Sequence, residues 1–116
     1  MKKRFLPGNK RIATLHDYLI CRNNYREEID LAKLAALVNM AQGSLCRFFK
    51  AQMGITIFEY LISIKVEFAC KLLMDPDLSI VRVCLDSGFN NLSHFNKQFL
   101  KTVGMTPSQY RKNLRI

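Results

Sequence analysis

The sequence predicts an all-α protein of seven helices, two helix-turn-helix subdomains joined by a long central helix. Three observations predict it. Apolar residues recur at helical spacing along the 116-residue chain. No stretch alternates apolar and polar with a period of two, and no Asn-Gly or Asp-Gly hairpin occurs. The second half echoes the first at a spacing of about 50 residues.

The first helix is expected from about Lys10 to Asn23, with Ile12, Leu15, His16, Leu19 and Ile20 on one face and Asn23-Asn24 as its end. Asp30 is a good N-cap for the second, which carries Leu31, Leu34, Ala35 and Val38. Asn39-Met40 makes a short turn. The third runs from about Gln42 to Met53, directs Leu45, Phe48 and Phe49 inward, and stops at Gly54. Thr56-Ile57-Phe58-Glu59 has capping-box form and opens the long fourth helix, which reaches about Met74 before Asp75-Pro76 breaks it. Ile57, Leu61, Ile64, Phe68 and Leu72 are its expected core face. Ser79 caps a fifth helix with Ile80, Val83 and Cys84, ending at Gly88. The sixth spans about Leu92 to Val103, with Phe95 and Phe99 inward and Gly104 closing it. Thr106-Pro107 then starts a short last helix through Tyr110.

The repeat organises this series. Leu45, Arg47, Phe49, Gly54, Thr56 and Tyr60 are echoed by Phe95, Lys97, Phe99, Gly104, Thr106 and Tyr110. Upstream the register shifts by one, so that Leu31, Leu34 and Ala35 match Ile80, Val83 and Cys84. The second turn, Gly88-Phe89-Asn90-Asn91, is therefore one residue longer than the first. Gly88 suits a left-handed turn position and Phe89 a core plug. Each repeat reads as a short helix, a tight turn and a longer helix with a polar outer face. In a helix-turn-helix the second helix enters the DNA major groove.

The stretch from Gly88 to Phe99, Gly-Phe-Asn-Asn-Leu-Ser-His-Phe-Asn-Lys-Gln-Phe, followed by Gly104-Met105-Thr106-Pro107-Ser108-Gln109-Tyr110-Arg111, resembles the C-terminal signature of the AraC/XylS transcriptional regulators. Leu45-Cys46-Arg47-Phe48-Phe49-Lys50 resembles the first reading helix of that family. The similarity extends from about Arg11 to Arg111. It implies a seven-helix DNA-binding domain, usually carried behind a sensory or dimerisation domain. The chain is accordingly expected to be either a piece of a longer regulator or a single-domain member. A small-molecule effector is expected only where an N-terminal domain exists. The expected organisation is a basic arm or linker remnant over residues 1–10 and the DNA-binding domain over 11–116. Within it the first helix-turn-helix covers about 30–53, the linking helix about 56–74 and the second helix-turn-helix about 79–103.

Helical geometry nominates the readers independently of the resemblance. With Leu45, Phe48 and Phe49 inward, the third helix presents Gly43, Cys46, Arg47 and Lys50 outward. Arg47 has the fork that pairs with guanine O6 and N7, whereas Gly43 and Cys46 offer little hydrogen bonding. In the second unit Leu92, Ser93, Asn96 and Lys97 face outward. Asn96 suits adenine, Lys97 guanine, and Leu92 a thymine methyl. Lys50, Arg82, Lys101 and Arg111 are the expected phosphate contacts, with Lys112 a further candidate. The resemblance places base contacts at the matched positions. Two residues depart from the family pattern: Gly43 in the first reading helix, and Leu100, where a basic residue is usual.

Composition agrees with a polyanionic partner. Eighteen Lys and Arg stand against 9 Asp and Glu, for a net charge of +9, and each neutralised phosphate releases counterions. Double-stranded DNA is the expected partner, with RNA polymerase a possible second. The alternative reading is a protein-interaction module that docks an acidic partner. RNA binding is disfavoured because no exposed aromatic pair is evident. Cys21, Cys46, Cys70 and Cys84 lack zinc-ligand spacing, and buried reduced thiols are expected for Cys21, Cys70 and Cys84. His16 and His94 have no carboxylate pair beside them, and His94 is expected to pack at a helix flank. With no nucleophile-and-base constellation and no phosphate-cradling glycine loop, neither catalysis nor a cofactor or metal is expected. No apolar run approaches the roughly 20 residues of a membrane span, and none follows the basic start as in a signal peptide. A cytoplasmic protein is expected.

Overall fold

The structure, a computed structural model, describes residues 10–20 and 30–114. Among these residues it is all-helical: α1 (Lys10–Ile20), α2 (Leu31–Leu37), α3 (Gln42–Met53), α4 (Ile57–Leu72), α5 (Ile80–Asp86), α6 (Leu92–Val103) and α7 (Pro107–Leu114). The expected arm at residues 1–10 (all but its last residue), the Asn23-Asn24 helix end and Cys21 lie outside the described residues.

The chain divides into two compact units, with the boundary between Ile57 and Phe58, so nearly all of α4 belongs to the second. In the first unit α1 buries Ile12, Leu15 and Leu19, α2 buries Leu34 and Ala35, and α3 buries Leu45 and Phe49. The Arg11 Nε donates to the Val38 carbonyl at 3.2 Å, which ties α1 to the end of α2. Phe48, expected inward, is only half-buried. It lies at the edge of the apolar stripe, whose centre is the i, i+4 pair Leu45 and Phe49.

The second unit is built around Val66, Ala69, Leu73, Val83, Cys84, Phe89, Phe95 and Phe99. Phe89, Phe95, Phe99 and Tyr110 form a chain of tilted and edge-on rings with successive centroids 5.1, 5.7 and 5.7 Å apart. Such geometries suit the quadrupoles of aromatic rings. The Tyr110 hydroxyl also hydrogen-bonds the Cys70 thiol. Burial pushes both groups above their ordinary pKa values. Cys84 is fully buried, whereas Cys70 and Cys46 are half-buried.

α4 departs from expectation in its packing. Ile57, Leu61 and Ile64 are buried as anticipated, but Phe68 and Leu72 are half-buried. Val66 and Ala69 are buried instead, with Leu73 just past the helix end, on the opposite side of the helix axis at 100° per residue. A helix buried on two faces reads as one stripe only if its windows are treated alike. Its regular turns also stop at Leu72, before the expected Met74. The next amides tighten, with the N–H groups of Met74 and Asp75 donating to the carbonyls of Lys71 and Leu72 at 3.2 and 3.1 Å. α7, by contrast, continues four residues past Tyr110 to Leu114.

Candidate nucleic-acid interface

The two helix-turn-helix units share one backbone hydrogen-bond scheme. Asp30 caps α2 through its carboxylate, which accepts from the Ala32 and Lys33 amides at 3.1 and 3.3 Å. Ser79 caps α5 through its hydroxyl, which accepts from the Arg82 amide at 3.0 Å. After α2 the Asn39 N–H donates to Ala36 at 3.2 Å and the Met40 N–H to Ala35 at 2.9 Å. After α5 the Gly88 N–H donates to Leu85 at 3.1 Å and the Phe89 N–H to Cys84 at 3.0 Å. Asn39 (φ 58°) and Gly88 (φ 101°) hold the equivalent left-handed positions. The reading helices then begin with Leu45 N–H donating to Ala41 and Phe95 N–H donating to Asn91, both at 2.9 Å. The single extra residue of the second turn is thereby fixed as Asn90.

The N-termini of the two reading helices differ. Asn91 accepts from the His94 amide through its side chain at 2.8 Å, so α6 has a true side-chain cap. Ala41 gives α3 none. Phe89, 4% exposed, plugs the second turn as expected. The exposed His94 packs its ring edge-on against Phe89 at 5.8 Å.

On α3, Gly43, Arg47 and Lys50 are exposed and Cys46 is half-buried, along one face opposite Leu45 and Phe49. The Arg47 guanidinium lies back along the helix. One Nη reaches the Ser44 hydroxyl at 3.5 Å, and the other lies 3.5 Å from where a Cβ on residue 43 would sit. A methyl group at position 43 would therefore meet that guanidinium only in ordinary van der Waals contact. On α6, Leu92 (40% exposed), Ser93, Asn96 and Lys97 line the corresponding face and are all exposed.

The expected phosphate contacts fall into two kinds. Lys50 and Lys101 are exposed near the ends of α3 and α6. Arg82 is exposed but donates from Nε to Asp86 at 3.2 Å, one turn along α5. Arg111 is half-buried, with Nε donating to the Leu73 carbonyl at 3.1 Å and an Nη donating to the Asp75 carbonyl at 3.0 Å. Two capping residues escaped the sequence reading. One is Asn91, whose residue type favours N-caps. The other is Gln109, which completes a reciprocal capping box: its side chain accepts from the Thr106 N–H at 2.9 Å, and its own N–H donates to the Thr106 hydroxyl at 3.1 Å. Among the described residues no cluster of three His, Cys, Asp or Glu could hold a metal ion, and no helix is long and apolar enough to cross a membrane.

Residues 34–113 match a family described as a helix-turn-helix domain. The MmsAB operon regulatory protein of Pseudomonas aeruginosa is 32% identical over 108 residues, which cover 93% of this chain and 34% of that protein. The chain thus spans about a third of the length of the curated relatives it matches. The solved DNA-binding domain of AdpA, determined in complex with a target DNA, superposes with a TM-score of 0.79 at 25% identity, covering 92% of this chain and 95% of that one. A probable AraC family transcriptional regulator from Rhodopseudomonas palustris shares the fold, with a TM-score of 0.82 at 22% identity over 93% of this chain and all of that one.

Proposed function

The chain belongs to the AraC-type helix-turn-helix family, and from that premise we propose that it binds duplex DNA sequence-specifically and so regulates transcription. The observation that carries this reading is the duplicated turn, which twice sets a 12-residue helix with an exposed outer face against a buried apolar core. Arg47, with Gly43 and Cys46 beside it, reads bases from α3. Leu92, Ser93, Asn96 and Lys97 read them from α6. Lys50 and Lys101 anchor phosphates, and Arg82 does so by exchanging Asp86 for DNA. Arg111 contributes chiefly by holding α7 against the end of α4. The known complex of AdpA with DNA supports the choice of partner. No catalysis is part of this reading, because the relatives carry regulatory names. Docking on RNA polymerase, an accompanying proposal, is supported by the exposed apolar pair Val81 and Leu85 on the outer face of α5.

Selection of bound duplexes from a random pool, followed by titration at several salt concentrations, tests it. The expected result is an enriched site bound by a monomer. With six or more phosphate contacts, affinity falls roughly a thousandfold between about 50 and 200 mM salt. A pool with no enrichment and a flat salt response would overturn the proposal.

A further inference from the structure

Lys65 stands apart from the other cations of the second unit. It lies on α4, half-buried, with Nζ 5.5 Å from the centroid of the Phe89 ring. Phe89 is the buried plug of the α5–α6 turn and also meets His94, in the first turn of the reading helix. Burial lowers the Lys65 pKa. Arg82 has Asp86 as a partner and Arg111 has two carbonyls. Among the described residues Lys65 has neither, and a phenyl face offsets only part of the cost of taking an ammonium out of water.

A cation held against the turn that launches α6, half-buried and without a counter-ion among the described residues, is poised for an anion arriving from outside the protein. We propose that Lys65 is a phosphate anchor, its ammonium meeting a DNA backbone phosphate beside the bases that α6 reads. This rests on the DNA-binding reading above. Phe89 then has two tasks: it fills the core of the turn and it pins the lysine stem, so that the anchor and the reading helix share one support. Such a contact fixes register without reading sequence.

The test compares Lys65→Met, which keeps an apolar stem over Phe89, with Lys65→Arg, which keeps the charge. Binding is titrated against salt on the selected duplex and on a random one, with circular dichroism as the check on folding. The Met variant is expected to lose about 0.9 from the slope of log affinity against log salt, and to weaken both duplexes by the same factor. The Arg variant is expected to restore the slope. An unchanged slope in a folded Met variant overturns the anchor and leaves the DNA reading intact. A flat response in the wild-type chain sinks the DNA reading itself. Amine acetylation of the wild-type chain, read by mass spectrometry with and without duplex, needs no variant: DNA should shield Lys65, and equal acetylation in both would reject the anchor.

Discussion

The Nε of Arg111 donates to the carbonyl of Leu73 at 3.1 Å across 38 residues of sequence, while an Nη of the same guanidinium takes the Asp75 carbonyl at 3.0 Å. These carbonyls follow α4, where acceptors are left without intrahelical donors and the helix dipole favours a cation. Arg111→Ala should therefore lower stability by about 1.5–3 kcal/mol, the range for hydrogen bonds to charged groups. Lys cannot place two donors in a fork, so Arg111→Lys should recover only part of the loss. Urea denaturation of the free protein reads this directly. Unchanged midpoints with weakened DNA binding would instead make Arg111 a phosphate contact in its own right.

The left-handed turn positions give a second, paired prediction. Gly88 sits at φ 101° and Asn39 at φ 58°. Gly88→Ala forces a Cβ into that region and should cost about 1–2 kcal/mol. Asn39→Gly should be close to neutral, because asparagine already tolerates the conformation and glycine adopts it freely. Thermal melts of the two variants check the contrast. Equal destabilisation of both would show that the turns do not share a conformational requirement.

Legibility in the sequence followed the range of the interaction responsible. The bounds of α3 and α6 could be read because a glycine ends each, and both Gly54 and Gly104 are left-handed, at φ 79° and 92°. The one-residue register shift was visible as well, although only the backbone bonds locate it at Asn90. The second buried face of α4 was missed because a single-stripe fit stops once Ile57, Leu61 and Ile64 satisfy it. α7 was read four residues short because Tyr110 ends the repeat without ending the helix. In the candidate interface, outward faces followed from helical periodicity alone. The Arg111 clamp could not, since its acceptors are main-chain atoms remote in sequence and carry no residue signature.

Base readers and anchors should separate in binding experiments. Arg47→Ala and Asn96→Ala should each cost roughly 1–3 kcal/mol on the selected site and relax preference at one or two base pairs. Both side chains are exposed, so neither change should disturb folding. Lys101→Ala should weaken all duplexes about equally. Repeating the selection with Arg47→Ala is the sharper measurement: an unchanged consensus would remove Arg47 from the base-reading face.

The repeat also specifies a gain of function. Lys50 and Leu100 occupy equivalent positions, each supplying the carbonyl that accepts from the closing glycine, Gly54 at 2.9 Å and Gly104 at 2.8 Å. Lys50 is an exposed cation on α3, whereas Leu100 is an apolar residue left 48% exposed on α6. A leucine so exposed adds little to the core, and substitutions at such surface positions usually change stability by no more than about 0.5 kcal/mol. Leu100→Lys would give α6 the phosphate contact that Lys50 is proposed to give α3. Each added contact steepens the slope of log affinity against log salt by about 0.9. The variant should consequently bind selected and random duplexes more tightly at low salt, with the ratio between them nearly unchanged, since a phosphate contact carries no base information. Salt titrations of the variant beside the wild-type chain measure this. An unaltered slope would mean that position 100 lies away from the DNA backbone, and that the two reading helices dock differently despite their common turn.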